Sequence, residues 1–125
     1  GFERFGALLQ AAYESAADPM ARVEAVGRAY IRFGLGYPAH YRLMFMQRGD
    51  FLFRRDPKSQ KPPIDSFGVL LRAVDEALAA GRLEPADPLL HAHTLWAGVH
   101  GLVALALCVP SAGATDLETR TDALL

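Results

Sequence analysis

Thr94-Leu95-Trp96-Ala97-Gly98-Val99-His100-Gly101-Leu102-Val103-Ala104-Leu105-Ala106-Leu107-Cys108-Val109 holds no side chain that is charged at neutral pH, a protonated His100 apart. Apolar residues sit all the way round: Leu95, Trp96, Val99, Leu102, Val103, Leu105 and Leu107. A membrane span needs about 20 apolar residues. This run has 16, interrupted by Gly98, His100 and Gly101, so a buried helix and no membrane contact are expected. A helix that is apolar on every side must be covered on every side. In a small domain its own core covers one face, and a second subunit is expected on the other. Small residues support that reading. Ala97 and Gly101 are four apart, and Gly98, Gly101 and Ala104 are three apart. Both spacings leave flat patches that another backbone can approach.

The rest of the chain is consistent with helix. It has 125 residues, the size of one domain. Ala and Leu supply 39 of them and Val, Ile and Thr only 13. β-branched side chains lose rotamers in helices and pack well in sheets, so this ratio points to an all-α fold. No stretch sustains the alternation of a strand. The formal net charge is -1, which excludes nucleic-acid binding by bulk charge. The single cysteine, Cys108, excludes a disulfide framework and a Cys-based zinc site.

Punctuation divides the pattern into about six helices. The first is expected from about Gly1 to Ala17, with Phe2, Phe5, Leu8, Leu9, Ala12 and Ala16 on one stripe. Asp18-Pro19 reads as an N-cap followed by Pro in the first turn. The second helix carries Val23, Val26, Tyr30 and Phe33, is weakened by Gly34 and Gly36, and stops at Gly36-Tyr37-Pro38. A short third helix is expected to cover Tyr41 to Met46. Residues 47 to 63 read as a basic, mobile loop, with Arg48, Arg54, Arg55, Lys58 and Lys61 among breakers Gly49, Pro57, Pro62 and Pro63. The tripeptide Arg48-Gly49-Asp50 within it is read as chance. A fourth helix runs from about Pro63 to Ala80, with Gly81 just beyond its end. Asp87-Pro88 opens the fifth, which ends before Pro110. Thr115 and Glu118 match a capping box for a sixth. The chain opens and closes inside helical pattern, so a fragment trimmed at both ends is expected.

The stretch Trp96-Ala97-Gly98-Val99-His100-Gly101-Leu102 resembles the C-terminal domain of TetR-family transcriptional regulators, in the subgroup with a Trp and a His-Gly pair in this helix. Arg28-Ala29-Tyr30-Ile31-Arg32-Phe33-Gly34 and Tyr37-Pro38-Ala39-His40-Tyr41-Arg42-Leu43-Met44-Phe45 are similar to that family's helix and corner. Leu71 to Leu83 followed by Asp87-Pro88 resembles its next helix and turn. The resemblance covers nearly the whole chain. It implies a helical bundle of about six helices over residues 1–125, sensing an effector and dimerising through its last two helices. It also implies a helix-turn-helix domain, absent from this chain, that precedes it and binds operator DNA. On this reading the intact protein is a cytoplasmic homodimeric repressor, released from DNA by a small apolar molecule.

The resemblance places a ligand cavity among these helices, and such pockets are mostly apolar with a few polar groups. Candidate lining residues are Tyr13, Tyr30, Phe33, Met44, Phe45, Phe67, Leu71, Trp96 and His100. The tyrosine hydroxyls need partners if buried, which favours Tyr13 and Tyr30 over the phenylalanines. Candidate dimer-interface residues are Leu95, Gly98, Val99, Gly101, Leu102, Leu105, Ala106, Leu117 and Leu124.

No metal site or cofactor is expected. His93 and His100 are seven apart, about 10 Å along a helix, and His91 and His93 face different ways. His100 is read as hydrogen-bonded in the core, across the dimer, to a ligand, or to the corner at Tyr37 to Tyr41. No phosphate loop, nucleophile elbow or paired-carboxylate motif points to an enzyme. The alternative is a stand-alone helical module that binds a small molecule, or a helical enzyme subunit, without a DNA role.

Overall fold

The computed structural model describes residues 2–46, 66–108, 119 and 121–125. Among these there are helices and no strand. Helices α1 (Phe2–Glu14), α2 (Pro19–Gly36), α3 (Pro38–Tyr41), α4 (Ser66–Ala79) and α5 (Pro88–Cys108) follow in order, with a π turn (Arg42–Met46) directly after α3. Residues 121–124 are helical as well. The basic segment with Arg48-Gly49-Asp50, the expected start of the fourth helix at Pro63, the Thr115–Glu118 capping box and Leu117 lie outside the described residues.

Helix α2 is the centre of the bundle, packed on α1, α4 and α5. Its buried Val23, Val26, Gly27, Tyr30, Ile31, Phe33 and Gly34 recur at helical spacing. Asp18 caps it, its carboxylate accepting from the Ala21 N–H at 3.1 Å. The same carboxylate accepts from Arg82 at 2.6 Å, which ties the start of α2 to the turn after α4. That turn is a Schellman motif. Gly81 has φ +71°, its N–H bonds Leu78 O, and the Arg82 N–H bonds Ala77 O.

Two boundaries differ from the sequence reading. Helix α1 ends at Glu14, not near Ala17. The extended Asp18 needed before Pro19 draws the chain out of helix, and the Ala16 carbonyl accepts from the Arg22 side chain at 2.8 Å. The segment after Tyr41 is a π turn rather than a continued α-helix. Gly34 also has a different part from the one expected. It does not loosen α2 but lets α5 approach: a Cβ there would lie 2.5 Å from Val103 Cγ1.

Candidate functional site

An apolar cavity of about 60 Å³ lies inside the bundle. Phe5 and Leu9 of α1, Val26, Gly27 and Tyr30 of α2, and Phe45 of the π turn form part of its wall. Phe67 and Leu70 of α4, Leu95, Trp96 and Val99 of α5, and Leu125 complete most of the rest. Five of its described lining side chains are aromatic, Phe5, Tyr30, Phe45, Phe67 and Trp96. Phe5 meets Tyr30 edge-on at 5.3 Å between centroids and Phe45 at 5.4 Å. Phe67 lies 5.9 Å from Trp96.

Four side chains form a hydrogen-bonded chain through this core. Trp96 Nε1–H donates to the Tyr30 hydroxyl at 3.1 Å. The Tyr30 and Tyr41 hydroxyls are 2.8 Å apart. The Tyr41 hydroxyl lies 2.5 Å from His100 Nδ1. Burial pushes the Tyr30 phenol up to about 12 and raises Tyr41 further in the same direction. It lowers His100. Both phenols and the imidazole are therefore neutral at pH 7.

Of the nine ligand candidates, Tyr30, Phe45, Phe67 and Trp96 line this cavity. His100 stands one step behind it, held on Tyr41. Phe33 and Met44 are buried in the core, and Leu71 packs at its edge. Tyr13 belongs to a different cluster. Its hydroxyl donates to Glu76 Oε1, and Arg22 Nη1 donates both to Glu76 Oε2 at 2.9 Å and to the Tyr13 oxygen at 3.1 Å. The cluster joins α1, α2 and α4. Tyr41 was not among the candidates although it is the most buried tyrosine, at 0% exposure. The signal was available: a buried phenol needs a partner, and an aromatic corner is where one is found.

The interface candidates divide between two sides of α5. Val99 is buried and lines the cavity, as does Leu95. Gly98 is a seat for Leu124, whose Cδ1 would be 2.8 Å from a Cβ there. Gly27 on α2 is likewise a seat for Leu125. Leu102 is partly buried against the core. Gly101 has open space where a side chain would be, and Leu105 is 49% exposed. The outward face of α5 thus runs Leu90, Thr94, Ala97, Gly101, Leu105, Cys108, an apolar stripe at three- and four-residue steps. Leu90 and Leu105, 61% and 49% exposed, each forgo roughly half of the ~1.5–3 kcal/mol that full burial of a leucine is worth. Among the described residues α5 is not covered on all sides. It is also the one described helix long and apolar enough to cross a membrane.

His91 and His93 are held locally. His91 Nε2 lies 2.8 Å from Glu84 O, and His93 Nδ1 lies 2.9 Å from Leu89 O. Among the described residues no three His, Cys, Asp or Glu side chains are grouped to hold a metal ion.

The described residues thus form a helical bundle with an aromatic cavity and an exposed helix face, and comparison with known families places it. The family described as "Tetracyclin repressor-like, C-terminal domain" matches residues 23–125. The chain belongs to this family. Comparisons with curated proteins and with solved structures return no match. The matched region starts inside α2 and takes in every cavity residue except Phe5 and Leu9 of α1. The match places the chain among the C-terminal domains of TetR-type regulators.

Proposed function

We propose that this chain is the effector-sensing and dimerisation domain of a cytoplasmic TetR-like repressor, binding operator DNA through an N-terminal helix-turn-helix domain outside it. One observation carries the reading: α5 presents Leu95, Trp96 and Val99 to the cavity and Ala97, Gly101 and Leu105 to the outside. A molecule that reshapes the inner wall moves the outer one, since both are the same helix. Two copies meeting on the outer stripe, with the segment around Leu124 beside it, would make a four-helix interface of at least ~1,000 Å². The effector is small, uncharged and mainly apolar. It acts by shifting the dimer toward the arrangement that binds it better, by no more than its differential affinity.

The test is Leu105→Glu, read by size-exclusion with light scattering and by circular dichroism. The wild-type chain should be dimeric and the variant a folded monomer. A monomeric wild type, or a variant that remains dimeric, overturns the proposal.

A further inference from the structure

The Trp96, Tyr30, Tyr41 and His100 chain has three links, and at 3.1, 2.8 and 2.5 Å each holds one proton. Trp96 is a donor only, so it always fills the first link. Each hydroxyl brings one proton. A neutral imidazole brings one to Nδ1 or none, according to tautomer. With His100 protonated at Nε2, three protons fill three links: Trp96 to Tyr30, Tyr30 to Tyr41, and Tyr41 to Nδ1. None is left over. With Nδ1 protonated, four protons serve the same three links. His100 then donates to Tyr41, and Tyr41 donates to Tyr30, which also accepts from Trp96. The surplus proton has one place to emerge, the Tyr30 hydroxyl. Tyr30 and Trp96, at that end of the chain, line the cavity, whereas Tyr41 and His100 do not.

We propose that Tyr30 is the polar specificity contact of the cavity, and that its ligand is an uncharged, mainly apolar molecule with one hydrogen-bond acceptor, a carbonyl or ether oxygen, whose binding moves the His100 proton from Nε2 to Nδ1. This rests on the reading of the cavity as the effector site. Nε2 releases its proton to water and Nδ1 takes one from water, while the two hydroxyl protons rotate about their C–O bonds, so no net proton is gained. His100 is only partly buried, and transient opening of its bond to Tyr41 gives water access to Nδ1. No Asp, Glu, Lys, Arg or His is among the described residues lining the cavity, so an ionised ligand would find no countercharge. An apolar cavity of about 150 Å³ holds benzene. This one is smaller and suits a compact group.

The probes are therefore acetone and its hydrocarbon counterpart isobutene, added to the ¹⁵N- and methyl-labelled chain. Long-range ¹H–¹⁵N correlation of the histidine rings reports the tautomer. The free protein should show His100 as Nε2–H. Acetone should convert it to Nδ1–H, and isobutene should shift the Val99 and Leu125 methyls with His100 unchanged. An Nδ1–H ring in the free protein overturns the inference. So does acetone that shifts those methyls without moving His100, or isobutene that binds where acetone does not. These outcomes leave the effector cavity standing, whereas the absence of methyl shifts with either probe removes both. Tyr41→Phe supplies a second measurement. It frees the Tyr30 proton permanently, so acetone should bind several-fold more tightly than to wild type, with no response at His100. Unchanged or weaker acetone binding overturns the coupling.

Discussion

Gly34 on α2 and Val103 on α5 are in such close contact that a methyl group on the glycine would lie 2.5 Å from Val103 Cγ1 and 3.0 Å from Cγ2. Val103 is fully buried and β-branched, so its methyls have no room to turn aside. Gly34→Ala should cost about 1–3 kcal/mol, the range of core overpacking. Pairing it with Val103→Ala should recover part of that loss. Denaturant unfolding of the two single variants and the double variant closes the cycle, and additive costs would show that the contact is not the cause. Gly98→Ala should cost less, because its neighbour is the tip of Leu124, a more yielding side chain.

The cluster of Tyr13, Arg22 and Glu76 predicts a pH dependence. The Tyr13 hydroxyl bond is the main cause that holds the Glu76 carboxyl below its ordinary value of 4.5, with Arg22 and Arg72 acting in the same direction. A carboxylate whose pKa is depressed in the folded state stabilises that state above the unfolded pKa. The contribution is lost as pH falls from about 4.5 toward the lower folded value. Melting temperature measured from pH 7 to pH 3 should therefore fall less steeply for Glu76→Gln than for wild type. Parallel curves would show that Glu76 has no such role. The group is about one-third exposed, so the difference is modest.

Val99 lines the cavity and is 2% exposed. Val99→Ile adds one carbon to that space. Burying it is worth about 0.8 kcal/mol, so the variant should melt several degrees higher and bind isobutene more weakly. A lower melting temperature would mean that the added carbon meets a wall rather than the cavity.

The sequence was most legible where one or two adjacent residues dictate the backbone. Asp18-Pro19, Gly81 and Asp87-Pro88 each mark a helix end by local chemistry, and each stands where the spacing places it. The end of α1 was not legible. Ala16 and Ala17 favour helix, but Arg22, six residues on, takes the Ala16 carbonyl. The π turn left no mark in Arg42-Leu43-Met44-Phe45-Met46 that distinguishes it from α-helix. For the site, the aromatic candidates supplied four of the fourteen described lining residues, Tyr30, Phe45, Phe67 and Trp96. The Tyr13 partner was out of reach, since Glu76 lies 63 residues away, whereas the contact of His100 with Tyr41, 59 residues apart, was one of the alternatives the sequence offered. Periodicity shows which residues share a face of one helix, but not which side chain of another helix they meet.

Along α5, Trp96 and Ala97 are neighbours in sequence, about 100° apart round the helix, one in the cavity wall and one exposed outside. Further along, Val99 and Gly101 repeat the arrangement two residues apart. A substitution in the α5 part of the cavity wall therefore lies within a residue or two of the outer stripe. On the proposed reading, a change in what the cavity recognises is expected to bring compensating substitutions on the outer stripe of the same helix.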